Sequence, residues 1–139
     1  MTVHPSYRDS MVHRLTLTVG VAALVLLATP AAAQTQAQMN QQAGAAYRQA
    51  DAQMTQAWRV LFADMKKRDS ADGSRGGGFG YAAAALASQR AWLQFRDKQC
   101  VLESGEFAGG SLQPMAQAQC LAKVTRARTQ QLKGMQWTK

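Results

Sequence analysis

Long alanine-rich stretches without proline dominate this chain, and they restrict it to helices. Of the three prolines, only Pro114 lies beyond residue 33. Alanine, the strongest helix former, is abundant there, whereas the β-branched residues that favour strands are sparse. No two-residue hairpin signal separates alternating apolar runs. The sequence therefore predicts an all-α fold.

The spacing of apolar residues divides the chain into three helices, predicted at residues 38–68, 81–103 and 115–135. Each has apolar residues at steps of three and four, the helical period. Two glycine-rich segments separate them: a flexible linker at residues 69–80 and a turn at Gly105–Gly110. Pro114 fits the first turn of the third helix, where its missing N–H is not needed. Together these elements predict a three-helix antiparallel bundle or hairpin.

The predicted core faces follow from these steps. The first helix contributes Tyr47, Ala50, Met54, Ala57, Trp58, Leu61, Phe62 and Met65. The second contributes Tyr81, Ala84, Ala85, Ser88, Trp92, Phe95, Gln99 and Leu102. The third contributes Gln117, Leu121, Val124, Arg128, Leu132 and Met135. The aromatic residues are interpreted as core rather than as a sugar-binding platform.

Residues 1–33 resemble a secretory signal peptide. Arg8 and Arg14 precede an uncharged apolar run at residues 15–28, and Ala31–Ala33 supplies a cleavage site. The run is shorter than the ~20 residues that span a bilayer. No cysteine follows it to carry a lipid anchor. We expect a periplasmic or secreted single domain, residues 34–139, without a membrane span and with a net charge of +7.

Both histidines, His4 and His13, lie in this leader. The exported domain would then lack the commonest general base and metal ligand, which excludes a Ser-His-Asp site, a Cys-His site and imidazole-bound zinc. Glu103 and Glu106 could form a two-carboxylate hydrolase site, but glutamates near a helix end are more often surface charges. We predict no catalysis, no cofactor and no metal.

Cys100 and Cys120 are the two cysteines of the chain. An even number in an oxidising compartment predicts one disulfide. It would staple the end of the second helix to the start of the third. The alternative, a catalytic thiol pair, lacks the C-x-x-C spacing typical of that chemistry.

Three charged residues lie on or beside apolar helix faces: Asp51, Arg96 and Arg128. A buried charge without a partner is costly. We expect Asp51 to pair with Arg96 or Arg128, and Gln89 to add hydrogen bonds. Such a cluster could simply hold helix register. Two alternatives stay open: Trp92 and Arg96 could form a recognition pocket, or the charges could reach solvent without clustering.

The third helix also carries a basic face, formed by Lys123, Arg126 and Lys133. No acidic residue follows Glu106. This face could contact an anionic lipid, a polysaccharide or an acidic protein patch, or it could simply be solvated. Export argues against nucleic acid as its partner.

The second half of the chain resembles a known family. Residues 89–100 read QRAWLQFRDKQC, followed by Gly109-Gly110-Ser111, then Cys120, then Thr125 and Arg128. This ordered set is similar to the LprI-type lysozyme inhibitors, exported helical domains whose pattern is roughly Q-x-x-W-x-x-[FY]-R-D-x-x-C, a Gly-Gly-Ser turn, Cys and T-x-x-R-x-x-x-L. It covers Ser88 to Leu132. The first half matches more weakly, chiefly at Asp51, and the family's additional N-terminal cysteines are missing.

The resemblance implies a cell-envelope domain with a Cys100–Cys120 bridge. The motif residues are Asp51, Gln89, Trp92, Arg96, Thr125 and Arg128. It also implies lysozyme inhibition by steric obstruction. Animal lysozymes are strongly basic, so a domain of charge +7 would need an acidic patch to meet one. The acids near predicted helix ends are Asp64, Asp69, Asp72, Glu103 and Glu106. The alternative is an envelope structural module that binds anionic surface polymers through its basic face.

Overall fold

The computed structural model describes residues 30–74 and 76–137. They form α1 (Pro30–Ala71), α2 (Tyr81–Ser104), a short 3-10 helix (Gly105–Phe107) and α3 (Gln113–Gly134). The predicted all-α, three-helix fold is confirmed. Residues 1–29 of the predicted leader lie outside the described part of the chain. Across the described residues, no helix is both long enough and apolar enough to cross a membrane.

The apolar stripe of α1 faces the core, as its spacing predicts. Ala50, Met54, Ala57, Leu61 and Met65 are all buried. They meet Leu132 of α3, and residues of α2 pack around them. The partly buried members of this shell are Trp58, Tyr81, Ala82, Ala85, Trp92, Leu93 and Met135. The core thus contains much alanine and few large aliphatic side chains.

The predicted core face of α2 is correct only in part: Tyr81, Ala85 and Trp92 pack against the core, but other members do not. Phe95 and Leu102 are 56% and 74% exposed. The residues that α2 buries are mostly polar: Gln89, Arg96, Cys100 and Ser104. Apolar periodicity missed this face because hydrogen-bonding groups, rather than hydrocarbon, occupy its centre.

The face of α3 is also rotated from the prediction. Arg128 and Leu132 are buried as expected, but Leu121 and Val124 are only half-buried. Their place is taken by small or polar residues: Cys120, Ala122, Thr125 and Thr129. Small side chains let α3 approach α2 closely where the two helices are cross-linked.

A disulfide joins Cys100 to Cys120, and the two Cα atoms are 5.4 Å apart. The predicted bridge is confirmed. Between the cysteines, the 3-10 helix and a tight turn reverse the chain. Gly110 N–H donates to the Phe107 carbonyl at 2.9 Å. Gly109 has a φ of 76°, a conformation that favours glycine.

The glycine-rich segment before α2 is shorter than predicted, because α1 continues to Ala71. Asp72 organises it: its carboxylate accepts hydrogen bonds from the backbone N–H groups of Ser74 and Phe79. A hydrogen bond with the Ser74 side chain, followed by the backbone hydrogen bonds from Phe79 and Ser74, lowers the pKa of Asp72 below its usual value. The composition of the segment indicated flexibility but gave no sign of this organising carboxylate.

Asp69 caps α2 from the last turn of α1. Its two carboxylate oxygens accept hydrogen bonds from the backbone N–H groups of Tyr81 and Ala82, at 2.6 and 2.9 Å. Gly80, the residue at the N-cap position, offers no side chain for this purpose. A carboxylate therefore satisfies two backbone donors at the positive end of the helix dipole.

We expect Asp69→Ala to lower the free energy of unfolding by about 1–2 kcal/mol, the range for loss of a helix cap. Asp64→Ala is the matched control. It removes a neighbouring carboxylate that pairs with Arg68 within the same helix and should cost less than about 0.5 kcal/mol. Urea unfolding of both variants measures the difference. Equal losses would contradict the capping role.

Candidate functional site

Two arginines converge on one tryptophan between the helices. The guanidinium carbons of Arg96 and Arg128 lie 5.5 and 5.6 Å from the centre of the Trp92 ring. Both arginines are only 7% exposed. Together with Asp51 and Gln89 we call these residues the arginine cluster. Trp92 and Arg96 lie one turn apart on α2, and Arg128 comes from the middle of α3.

Arg96 is balanced by two carboxylates. Its Nη1 lies 3.0 Å from Asp51 Oδ1, and its Nε lies 2.8 Å from Asp97 Oδ1. The guanidinium also lies 5.5 Å from the centre of the Tyr47 ring. Burial acts to lower the pKa of Arg96, but the hydrogen bond to Asp97 and the other nearby groups outweigh it and raise that pKa. Arg96 therefore remains cationic and paired.

Arg128 has only neutral partners. It donates from Nε to Gln89 Oε1 at 3.0 Å, from Nη2 to Ser88 Oγ at 3.2 Å and from Nη1 to Gln131 Oε1 at 3.3 Å. Among the described residues, no carboxylate forms a salt bridge with it. Burial lowers the pKa of Arg128, but guanidinium is so basic that the side chain keeps its charge.

Gln89 connects Arg128 to the apolar core. Its amide oxygen accepts from Arg128, and its amide nitrogen lies 3.1 Å from the sulfur of Met54. Gln89 is 5% exposed, so water has little access to replace either contact. Asp51 does not contact Arg128; it pairs with Arg96.

Thr125, the remaining motif residue, is fully buried. Its hydroxyl is the one buried side-chain polar atom without a hydrogen-bond partner in the described part of the chain. Its carbonyl accepts from the Thr129 hydroxyl at 3.0 Å. Thr125 therefore lies on the buried face of α3 but does not hydrogen-bond to the arginine cluster.

Sequence reasoning missed four members of this site: Tyr47, Ser88, Asp97 and Gln131. Tyr47 precedes Asp51 by one helical turn, so a pairing of Arg96 with Asp51 places its ring nearby. Burial raises the pKa of the Tyr47 hydroxyl. Adjacent residues on a helix do not usually face each other, which is why Asp97 gave no signal as a partner of Arg96.

The arrangement favours binding and helix registration over chemistry. The arginines donate hydrogen bonds and hold charge, which are binding roles. No three side chains of the metal-ligating types His, Cys, Asp and Glu lie close enough to hold a metal ion anywhere in the described ranges.

A second candidate site surrounds the disulfide-linked turn. We call it the turn surface and define it as Val101, Leu102, Glu103, Glu106, Phe107 and Leu112. Leu102 is 74% exposed and Val101 58% exposed. Phe107 and Leu112 are also exposed. Exposed apolar side chains beside a cross-linked turn can serve as a protein contact.

The predicted basic face of α3 is exposed, but one of its charges is neutralised. Lys123 Nζ lies 3.0 Å from Glu103 Oε2. Hydrogen bonds from Gln99 and then from Lys123 lower the pKa of Glu103. Arg126 and Lys133 are exposed on the same helix. The face therefore presents fewer free positive charges than its sequence suggests.

The acids that the sequence suggested as a patch divide between the two ends of the bundle. Asp64, Asp69 and Asp72 lie around the end of α1, where Arg68 and the start of α2 engage the first two. Glu103 and Glu106 belong to the turn surface. The structure therefore forms no single acidic patch from these five residues.

These features define a small helical domain with one disulfide and an arginine cluster between its helices. The chain belongs to the LprI lysozyme inhibitor family: the family model, described as "Lysozyme inhibitor LprI", matches residues 28–132. The chain is also similar to an uncharacterized protein of Rhizobium meliloti (strain 1021), with 42% identity over 88 residues. That match covers 63% of this chain and 63% of the relative's length. No solved structure matches the chain.

Proposed function

We propose that this protein binds lysozyme and inhibits it without catalysing a reaction. Membership of the LprI lysozyme inhibitor family across residues 28–132 carries the proposal. The contact we propose is the turn surface, which would obstruct the enzyme sterically. A surface that blocks an enzyme must be rigid, and the cross-link between Cys100 and Cys120 supports this requirement.

Charge favours the turn surface over the rest of the domain. A positively charged domain and a basic lysozyme repel each other at long range. The pocket beside the turn brings two carboxylates, Glu103 and Glu106, together with one ammonium, that of Lys123. Its exposed leucine and phenylalanine side chains could bury apolar area, which contributes roughly 25 cal/mol per Å².

Leu102→Asp and Phe107→Asp should each weaken inhibition of lysozyme by at least about tenfold, because loss of a central hot-spot contact costs about 2 kcal/mol or more. The measurement is clearing of a bacterial cell-wall suspension by lysozyme at increasing protein concentration. Val60→Asp is the matched control, since Val60 is 46% exposed on α1, away from the turn, and it should leave inhibition unchanged.

Thermal unfolding of each variant would show that the fold is intact. Failure of the unmodified protein to inhibit at high molar excess would refute the proposed function. Inhibition that survives both turn substitutions would refute only the assigned contact.

The alternative, binding of anionic envelope polymers, would act through Lys123, Arg126 and Lys133. The pairing of Lys123 with Glu103 weakens this interpretation. Charge reversal at Arg126 and Lys133 separates the two functions and leaves the pair of Lys123 with Glu103 intact. Under our proposal the reversed protein still inhibits lysozyme as strongly as the unmodified protein, whereas the alternative expects no inhibition by either protein and loss of binding to anionic vesicles on reversal.

A further inference from the structure

An apolar cavity lies at the end of the bundle opposite the turn surface. It has a volume of about 200 Å³. Leu61 and Met65 of α1, Tyr81 and Ala85 of α2, and Met135 after α3 line it. The exposed rings of Phe79 and Trp137 stand at its edge. Arg68 holds Trp137 there by donating to the Trp137 carbonyl at 2.7 Å.

One charged group lines this apolar cavity: Arg128. A guanidinium has five N–H donors, and Arg128 uses three of them on the neutral oxygens of Gln89, Ser88 and Gln131. The other two have no hydrogen-bond partner among the residues that the structure describes. Arg96, by contrast, has two carboxylates at 2.8 and 3.0 Å. The same cluster therefore balances the charge of one arginine and leaves the other without a counter-charge.

A buried cation without a counter-charge favours an anionic ligand, because a carboxylate matches the planar donor fork of arginine. The walls favour an apolar ligand body. A dry cavity of about 150 Å³ accommodates benzene, so the volume here suits one ring with a short arm. Aromatic and methionine side chains at the walls and rim offer favourable contacts to such a ring.

We propose that this cavity binds a small aromatic monocarboxylate, with the ring between α1 and α2 and the carboxylate on Arg128. The site is distinct from the turn surface. Ser88 is the cavity-lining residue of α2 nearest the turn, and at ~1.5 Å rise per residue it lies roughly 20 Å from Val101.

The test uses 3-phenylpropionate as the probe, its neutral amide as the matched ligand, and acetate as a carboxylate without a ring. Calorimetric titration of the purified protein should give a Kd on the order of 1 mM for the acid, in the usual range for a ligand of this size. The amide should bind about tenfold more weakly, because it lacks the charge-assisted hydrogen bonds. Acetate should bind more weakly still.

Two variants and a control locate the site. Arg128→Met should abolish the preference for the acid over the amide. Arg126→Met removes an exposed arginine from the same helix and should preserve that preference. Ala84→Trp places a large ring at the cavity wall from an exposed position and should weaken both ligands, while circular dichroism shows that the helices persist.

Three results would each overturn the proposal: equal affinity for acid and amide, an acid preference that survives Arg128→Met, or unchanged binding in Ala84→Trp. Absence of binding at about ten times the expected Kd would also overturn it. If Arg128→Met does not fold, the comparison of acid with amide and the Ala84→Trp variant still decide the outcome.

Discussion

Replacing Cys100 and Cys120 together with alanine is expected to lower the free energy of unfolding by about 3 kcal/mol. The bridge closes a loop with a sequence separation of 20 residues, and the loop-entropy relation gives this magnitude for a loop of that length. A typical domain has only ~5–15 kcal/mol in total. The melting temperature should fall by about 10–15 °C for a domain of this size.

Alanine is the better replacement here, since both cysteines are buried, at 0% and 4% exposure, and serine would bury a hydroxyl group at each position. Reduction of the unmodified protein with a thiol reagent provides the control, because it breaks the cross-link without removing sulfur atoms from the core. The reduced protein and the double variant should lose similar stability, and the reagent should leave the variant unchanged. A loss below about 1 kcal/mol in both would contradict a large contribution from the cross-link.

Loss of the disulfide should also weaken the proposed inhibition of lysozyme. The turn surface lies between and beside the two cysteines, so opening the bridge would allow Leu102 and Phe107 to move relative to each other. A mobile contact surface loses more entropy when it binds. Inhibition of lysozyme should therefore weaken in the double variant at temperatures where its helices remain folded, which far-ultraviolet circular dichroism would establish.

The sequence predicted the elements of this fold well because local patterns define them. Glycine-rich segments separate the helices, and the core stripe of α1 consists of ordinary apolar residues such as Met54 and Leu61. The buried face of α2 could not be found in the same way. At its centre lie Gln89 and Arg96, which any hydrophobic scale assigns to the surface, whereas Phe95 and Leu102 point outward.

Counting back from the disulfide would have identified the buried face of α2. The disulfide fixes the side of α2 that meets α3, and steps of three or four residues back from Cys100 reach Arg96, Trp92 and Gln89. Such reasoning does not predict which partner contacts Arg96 and which contacts Arg128. Whether Asp51 contacts Arg96 or Arg128 depends on the relative height of α1 and α3, which a sequence pattern does not specify.

Gln89→Ala is expected to cost about 2–3 kcal/mol of unfolding free energy, while Asp51→Ala should cost less than about 1 kcal/mol. The difference arises from burial rather than from formal charge. Gln89 is 5% exposed, and its removal leaves the Arg128 guanidinium without its closest acceptor, at 3.0 Å, in a place that water hardly reaches. The Asp51 side chain is 43% exposed. Without it, Arg96 keeps Asp97 as a partner, and solvent screening already limits the value of the lost pair.

Urea unfolding of the two single variants and the double variant measures both effects, and the double variant shows whether they are independent, as expected for residues that contact different arginines. Gln89→Glu sharpens the test. This variant keeps the hydrogen-bond acceptor for Arg128, so it should restore most of the stability that Gln89→Ala loses. Its carboxylate also supplies a counter-charge to Arg128 from within the protein, so it should weaken binding of 3-phenylpropionate. A larger loss for Asp51→Ala than for Gln89→Ala would mean that the Arg96 pair, and not the hydrogen bonds of Arg128, holds the helices in register.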